Sequence, residues 1–323
     1  MLDRHATDPR AGHVATRTSA GLFDFSFMGH FEITGSGAGA FLERVQTRDL
    51  AALAPNRIAY TLLLREDGSV FNDATLWRLG PDHYWLFTGR PADFEWISRM
   101  PGEDAELRQR SGDLAILALQ GPRSFEIFPA TPPYFGFTQA LAEGEPATVA
   151  RLGYSGELGM EILVVASSAP SLWQRLKEKG AHECGFDAAD SLRIESGYIL
   201  FSHELAAMPD PFELGFARLL TGHGFVGAEA LAAKRFRQPR RRLVGLVPTG
   251  SIGTARSLPE AELTSEAWSP IFERQLGMGF APADDAAPGT LVRLADGRIA
   301  RCARLPFYDP GRVLPRRILT NTP

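Results

Sequence analysis

The segment GYSGELGMEILVV, residues 153–165, decides how this chain is read. Gly153, Ser155, Gly156 and Gly159 form a turn-prone entry, and the apolar residues Met160, Ile162, Leu163, Val164 and Val165 follow it. β-branched residues packed behind a glycine-rich loop predict a buried strand. Glu161 stands one residue inside that run. A buried carboxylate without a partner costs several kcal/mol or takes up a proton. Its partner is either internal, such as an arginine or backbone N–H groups, or a ligand. For a single strand glutamate the internal partner is the commoner arrangement.

Outward from this segment the same strand-then-helix order recurs. PSLWQRLKEKG, residues 170–180, has an early proline, late basic residues and a terminal glycine, which together punctuate a helix. GHFEITG (29–35) alternates like a strand, and residues 38–45 carry Phe41, Leu42 and Val45 at helical spacing. AYTLLL (59–64), the Asp67-Gly68 turn, VFNDATLWRL (70–79) and YWLFTG (84–89) predict an antiparallel meander. A helix is expected over residues 93–100, and LAILALQGP (114–122) reads as a buried strand closed by a Gly-Pro break. The chain up to about residue 15 has no pattern and is expected to be loose. Strands and helices interleave with hairpins, which predicts an α+β fold rather than a doubly wound sheet. No GxGxxG follows a strand and no Walker loop occurs, so a nucleotide site has no support. KRFRQPRRR (234–242) reads as a solvated linker. The short strands and Gly, Pro and Asp-Gly turns after it predict a small β-barrel or sandwich. The expected division is therefore 1–239 and 240–323.

Composition narrows the function classes. A chain of 323 residues, 44% hydrophobic and 22% charged, has room for two or three packed units and the make-up of a soluble globular protein. A net charge of −4 gives no reason to expect nucleic acid or an acidic membrane as partner. Cys184 and Cys302 form no pair motif, the opening MLDRHATDPRAGH has no apolar core of signal-peptide length, and no apolar run is long enough to span a bilayer. A reducing, cytoplasmic location is the expectation. The seven histidines are scattered without HExxH-like spacing, so no metal site is expected.

Eight motifs then fall in a telling order: GLFDFSFMG (21–29), REDGSVFNDATLWRL (65–79), LALQGP (117–122), GYSGELGMEI (153–162), DSLRIESGYILFSHEL (190–205), PFELGF (211–216), GFVGAEAL (224–231) and PFYDP (306–310). This series resembles the glycine-cleavage T-protein family, the tetrahydrofolate-dependent aminomethyltransferases and their demethylase relatives. The resemblance implies two ferredoxin-like α+β units forming a folate-binding domain, followed by a C-terminal barrel-like domain. It assigns Glu161, the second Glu of a Y-[ST]-G-E-x-G-x-E segment, to the pterin, whose N3–H and 2-amino group a single carboxylate accepts together. Glu157 is then a structural or lid residue, and Tyr154 packs on the cofactor or fills core. Asp73 matches the second Asp of a D-D-L segment, the catalytic carboxylate near folate N5. There it would stabilise positive charge on the amine being transferred. From its sequence surroundings alone, Asp73 reads as a turn or strand-end aspartate. Met28 and Asn72 complete the expected cofactor contacts, Asn72 standing where the family usually has Asp. Gln120, His203, Glu204 and Glu213 read as structural.

Two departures bear on the site. Ala189 stands where the family's A-R-D-S-L-R has the arginine for the folate glutamate tail, and Phe27 stands where S-H-M has histidine. The implied function is a tetrahydrofolate-binding one-carbon transferase. Its donor is a small amine or methyl compound, or a group borne on a lipoyl carrier protein. The alternatives are a non-catalytic folate-binding protein of the iron–sulfur assembly type and a paralogue that binds no folate. HGFVGAEAL carries no cysteine where the iron–sulfur branch has K-G-C-Y-x-G-Q-E, which argues against that branch.

Overall fold

A computed structural model of the chain describes residues 8–100, 102–250 and 258–317. The strand expected around Glu161 is Gly159–Val165. It runs antiparallel to Leu114–Gln120 along its whole length and to Glu145–Ala150 on its other side, with Glu161 opposite Ala118 and Ala150. It is an inner strand of a six-stranded sheet, ordered His182–Glu183, Gly21–Asp24, Leu114–Gln120, Gly159–Val165, Glu145–Ala150, Phe137–Ala142. Alternation along the strand divides its side chains. Met160, Ile162 and Val164 pack with Leu172 and Leu176 of the helix Ala169–Glu178. Glu161 and Leu163 take the other face, where Leu163 packs with Phe23, Phe25 and Phe137. The glycine-rich entry has a steric cause. Gln120 fills the space beside Gly153, its Oε1 1.9 Å from where a Cβ would stand. The Gln120 amide donates to the Leu152 and Met160 carbonyls and accepts from Ser155 Oγ, pinning the loop to the strand.

A second sheet of five strands has the order Arg57–Leu64, Val70–Gly80, His83–Thr88, Gly29–Thr34, Glu106–Gln109. Its first hairpin turns at Gly68, where φ is +81°, and Asp67 Oδ1 accepts from the Ser69 N–H and hydroxyl. One face packs on the helix Ala38–Val45 through Ile33, Leu42, Leu63 and Leu76. On the other face Ile58, Trp77 and Phe87 join Phe23, Phe25 and Phe137 of the six-stranded sheet in one aromatic cluster. The two sheets thus meet through the faces that carry Glu161 and, two and four residues before Trp77, Thr75 and Asp73. The remaining strands, beginning at Arg241, close a barrel in the order Arg241–Gly250, Arg274–Pro282, Glu260–Ser269, Leu291–Leu294, Ile299–Ala303. Buried Arg193 of the helix Phe186–Glu195 fastens it, donating to Glu204 at 2.7 Å and to Ser265 of the barrel at 2.7 Å.

The beginning of the described chain corrects one expectation. Pro9–Thr18 is a helix, capped by Asp8 Oδ1 accepting from the Arg10 N–H at 3.0 Å. Its buried side chains are His13, Thr16 and Arg17, so it has a polar buried face that a search for apolar periodicity passes over. The strands Glu106–Gln109, Phe137–Ala142 and Glu145–Ala150 also went unread, and the helix expected over 93–100 is the shorter Asp93–Ile97. Among the described residues no helix is long and apolar enough to cross a membrane, and no cluster of three or more His, Cys, Asp or Glu is arranged to hold a metal ion.

Candidate functional site

Between the two sheets lies a cavity of about 720 Å³, inside the range of small-molecule sites. The five-stranded sheet contributes Ile58, Tyr60, Asp73, Thr75 and Phe87, and the other side contributes Gly153, Tyr154 and Glu161. Residues 197–201 and the C-terminal Arg312, Pro315 and Arg316 complete the wall.

Glu161 is 6% exposed and faces this cavity. Its carboxyl makes no hydrogen bond or ion pair among the described residues, and burial pushes it up to about 8. The internal partner that a buried strand glutamate usually has is missing. Asp73 also faces the cavity, and Tyr60 Oη donates to its Oδ2 at 2.9 Å. Burial pushes Asp73 up to about 6, with the charges of Asp93 and Glu204 adding to it. The Tyr60 hydrogen bond and its own backbone N–H work against that rise. Tyr154 donates to the Ile199 carbonyl at 2.6 Å and stacks on Tyr198 with centroids 5.7 Å apart, making a flat wall. Met28 lines the cavity beside the aromatic cluster, and Phe27 lines it too, edge-on to Phe25 and Phe186.

The structure brings together Asp73, Glu161, Tyr154 and Met28 of the expected site, but not Asn72. Alternation along Val70–Gly80 turns Asn72 away from the cavity. It is fully buried, with Nδ2 2.5 Å from Asp93 Oδ2 and Oδ1 2.9 Å from the Asp73 nitrogen. Ala189 is likewise not on the wall. It is packed in the aromatic cluster with Phe23, Phe25 and Phe137. Glu157 is tied to Arg17 at 3.1 Å. Glu204 accepts from Arg193, Thr264, Ser265 and the Leu200 N–H, and Glu213 accepts from Arg241 and the Asp210 N–H.

Sequence reasoning missed the cations. Arg48, Arg57, Arg218, Arg312 and Arg316 all line the cavity. None is paired with a carboxylate among the described residues; Arg57 donates to the Tyr134 carbonyl, and Arg312 and Arg316 lie over the Tyr198 and Tyr134 rings. They come from distant parts of the chain and share no motif. Buried Arg151 holds the C-terminal pair in place by donating to the carbonyls of Pro315 and Arg317. The cavity therefore combines flat aromatic walls, a free buried carboxylate, a second carboxylate with a raised pKa and a set of guanidinium groups. A cavity of this size and lining is a small-molecule site with hydrogen-bond acceptors at one part of its wall and cationic groups at another.

Comparisons with known proteins identify the family. The family model described as the GCVT N-terminal domain matches residues 5–222. The chain is 36% identical over 330 residues to an aminomethyltransferase of Symbiobacterium thermophilum, covering 92% of this chain and 88% of the relative. It is 35% identical over 337 residues to an aminomethyltransferase of Streptomyces avermitilis, covering 93% and 89%. The crystal structure of the glycine cleavage system aminomethyltransferase T from Bartonella henselae superposes with a TM-score of 0.81 at 26% identity, covering 93% of this chain and 89% of that one. The chain belongs to the glycine-cleavage T-protein, or aminomethyltransferase, family.

Proposed function

We propose that this protein is a tetrahydrofolate-dependent one-carbon transferase. The observation that carries the reading is Glu161, a buried carboxyl on the wall of a cavity that has no partner among the described residues. A reduced pterin supplies the two adjacent N–H donors that such a group lacks. The unpaired arginines on the same wall suit the carboxylates of a glutamate tail. They also make the absence of an arginine at Ala189 immaterial to tail binding. Bound tetrahydrofolate would supply the nucleophilic nitrogen that takes up the one-carbon group.

The protein's own residues then have distinct tasks. Glu161 accepts from the pterin and fixes its orientation. Tyr154 and Tyr198 supply a flat wall and limit water. Asp73, aligned by Tyr60, stabilises positive charge on the donor amine as the carboxylate, and its raised pKa of about 6 lets it take up a proton just below neutral pH. The aminomethyltransferase names of the relatives favour an aminomethyl donor on a lipoyl carrier protein over a free methylated amine. The two free, buried cysteines suit a reducing, cytoplasmic setting. Calorimetry with tetrahydrofolate and 5-formyltetrahydrofolate, on wild type and Glu161→Gln, tests the cofactor reading. Equal affinity in the two proteins would remove it. Turnover with an aminomethyl-loaded lipoyl carrier against free methylated amines decides the donor.

A further inference from the structure

Behind Asp73 lies a polar chain that the cofactor reading does not use. Asp93 is 1% exposed and accepts on both oxygens, from Arg90 Nε at 2.7 Å and from Asn72 Nδ2 at 2.5 Å. With its Nδ2 committed to the carboxylate, Asn72 turns its Oδ1 to the Asp73 backbone, 2.9 Å from the nitrogen. Asn is the side chain of this length that donates to an anion and accepts from an N–H at once. An Asp at this position would set two carboxylates against each other unless one took up a proton. Arg90, 43% exposed at its side chain, ends the chain towards solvent, its guanidinium also 5.2 Å from the centre of the cavity-lining Phe201 ring.

We propose that Asp93 is a positioning residue for Asp73, acting through Asn72 to hold the Asp73 backbone while placing a second negative charge behind the carboxylate that faces the cavity. This rests on the reading of Asp73 as the working carboxylate. The groups that act on Asp73 come from four elements: Tyr60 of Arg57–Leu64, Asp93 at the start of Asp93–Ile97, Glu204 of the turn Glu204–Ala207, and Tyr154 of the glycine-rich loop. Glu204 has a cation too, but that is the fully buried Arg193; the Asp93 cation, Arg90, has an exposed side chain and lies off the cavity wall, so the Asp93 charge can be adjusted there without disturbing the core. The Asp93 charge disfavours ionisation of Asp73, in the same sense as the burial that raises it. Removing that charge must therefore make Asp73 a stronger acid. Removing Arg90 leaves the Asp93 charge uncompensated and must make Asp73 a weaker one.

The test is a carboxyl ¹³C NMR titration of protein labelled at aspartate, with the Asp73 signal identified by its absence in Asp73→Asn. The pH profile of kcat/KM is measured alongside. Asp93→Asn is expected to move the Asp73 midpoint down by about half a pH unit or more, and Arg90→Gln to move it up. The acid limb of the pH profile follows in each case. A purely structural role would lower activity or melting temperature without opposite displacements of the midpoint. Arg90 is exposed, so Arg90→Gln keeps the test alive should Asp93→Asn fold poorly. Unmoved midpoints overturn the proposal. Midpoints that move while the acid limb stays still support Asp93 acting on Asp73, and count instead against Asp73 as the group that governs turnover.

Discussion

With its carboxyl pushed up to about 8, Glu161 is mostly the neutral acid at pH 7 in the free protein. A pterin offering two N–H donors binds the anion, so binding must expel a proton. Affinity for reduced folate is expected to rise from pH 6 to pH 8. Calorimetry in buffers of different ionisation heat should read a proton release approaching one per site at the lower end of that range. A pH-independent affinity with no proton release would show that Glu161 is not the pterin anchor. The same group weakens the free fold. A carboxyl whose folded pKa lies above its unfolded value binds its proton more tightly when folded, so it removes stability as pH climbs from about 4.5 towards 8. Glu161→Gln should therefore melt higher than wild type at pH 8 while losing at least ~2 kcal/mol of folate binding. Asp73→Asn should leave folate affinity within a few-fold but lower turnover by roughly 10²-fold. Full activity in that variant would reduce Asp73 to a strand residue held by Tyr60.

Two helices carry element-scale consequences. Arg17 of Pro9–Thr18 is buried, donating to Glu195 at 2.7 Å and to Glu157 at 3.1 Å, with His13 Nε2 also 3.0 Å from Glu195. Burial alone would raise the Glu195 carboxyl, but His13, Arg17 and Ser269 outweigh it and hold Glu195 below the usual carboxylate range. A depressed carboxyl gives its stability above the unfolded value and loses it as pH falls through the folded one. Acid unfolding should thus set in below about pH 4.5. Arg17→Met, which strands Glu195, should destabilise by about 3–5 kcal/mol in denaturant melts at pH 7. A loss under ~1 kcal/mol would mean the helix is peripheral to stability. On the helix Phe186–Glu195, Ala189→Arg would drive a guanidinium among Phe23, Phe25 and Phe137. The expectation is a lower melting temperature, and no tighter binding of glutamylated folate.

At the scale of the whole molecule, the cavity lies between two sheets face to face, and distant segments, residues 197–201 and the C-terminal Arg312, Pro315 and Arg316 among them, close on it. Arg151 is the clasp of the C-terminal segment. Arg151→Ala should raise amide exchange over residues 312–317 and weaken a glutamylated folate more than a pterin without a tail, because Arg312 and Arg316 would lose their placement. Equal weakening for both ligands would assign those arginines to the wall and not to the tail.

Local signals carried much of this protein. The helix 38–45 was legible to the residue, and the strands around residues 59–64, 70–79 and 114–120 within a residue or two at each end, because apolar alternation and turn residues are short-range properties. The glycine entry to Gly159–Val165 and the oddity of a carboxylate at Glu161 were legible for the same reason. The N-terminal helix was not, since the groups that justify burying His13 and Arg17 lie at Ser191 and Glu195, 178 residues away in each case. The side of the strand on which Asn72 falls was settled by its neighbour: once Asp73 faces the cavity, alternation sends Asn72 to Asp93. Sequence by itself determined much of the order of elements and the α+β class, it marked Glu161 as an oddity, and its motif order singled out Asp73 by resemblance. Only the tertiary structure decided that the Glu161 carboxyl has no partner among the described residues, that Ala189 lies in the core, and that five arginines with no common motif line one cavity. Such facts depend on which distant faces meet, and packing brings those faces together without regard to sequence separation.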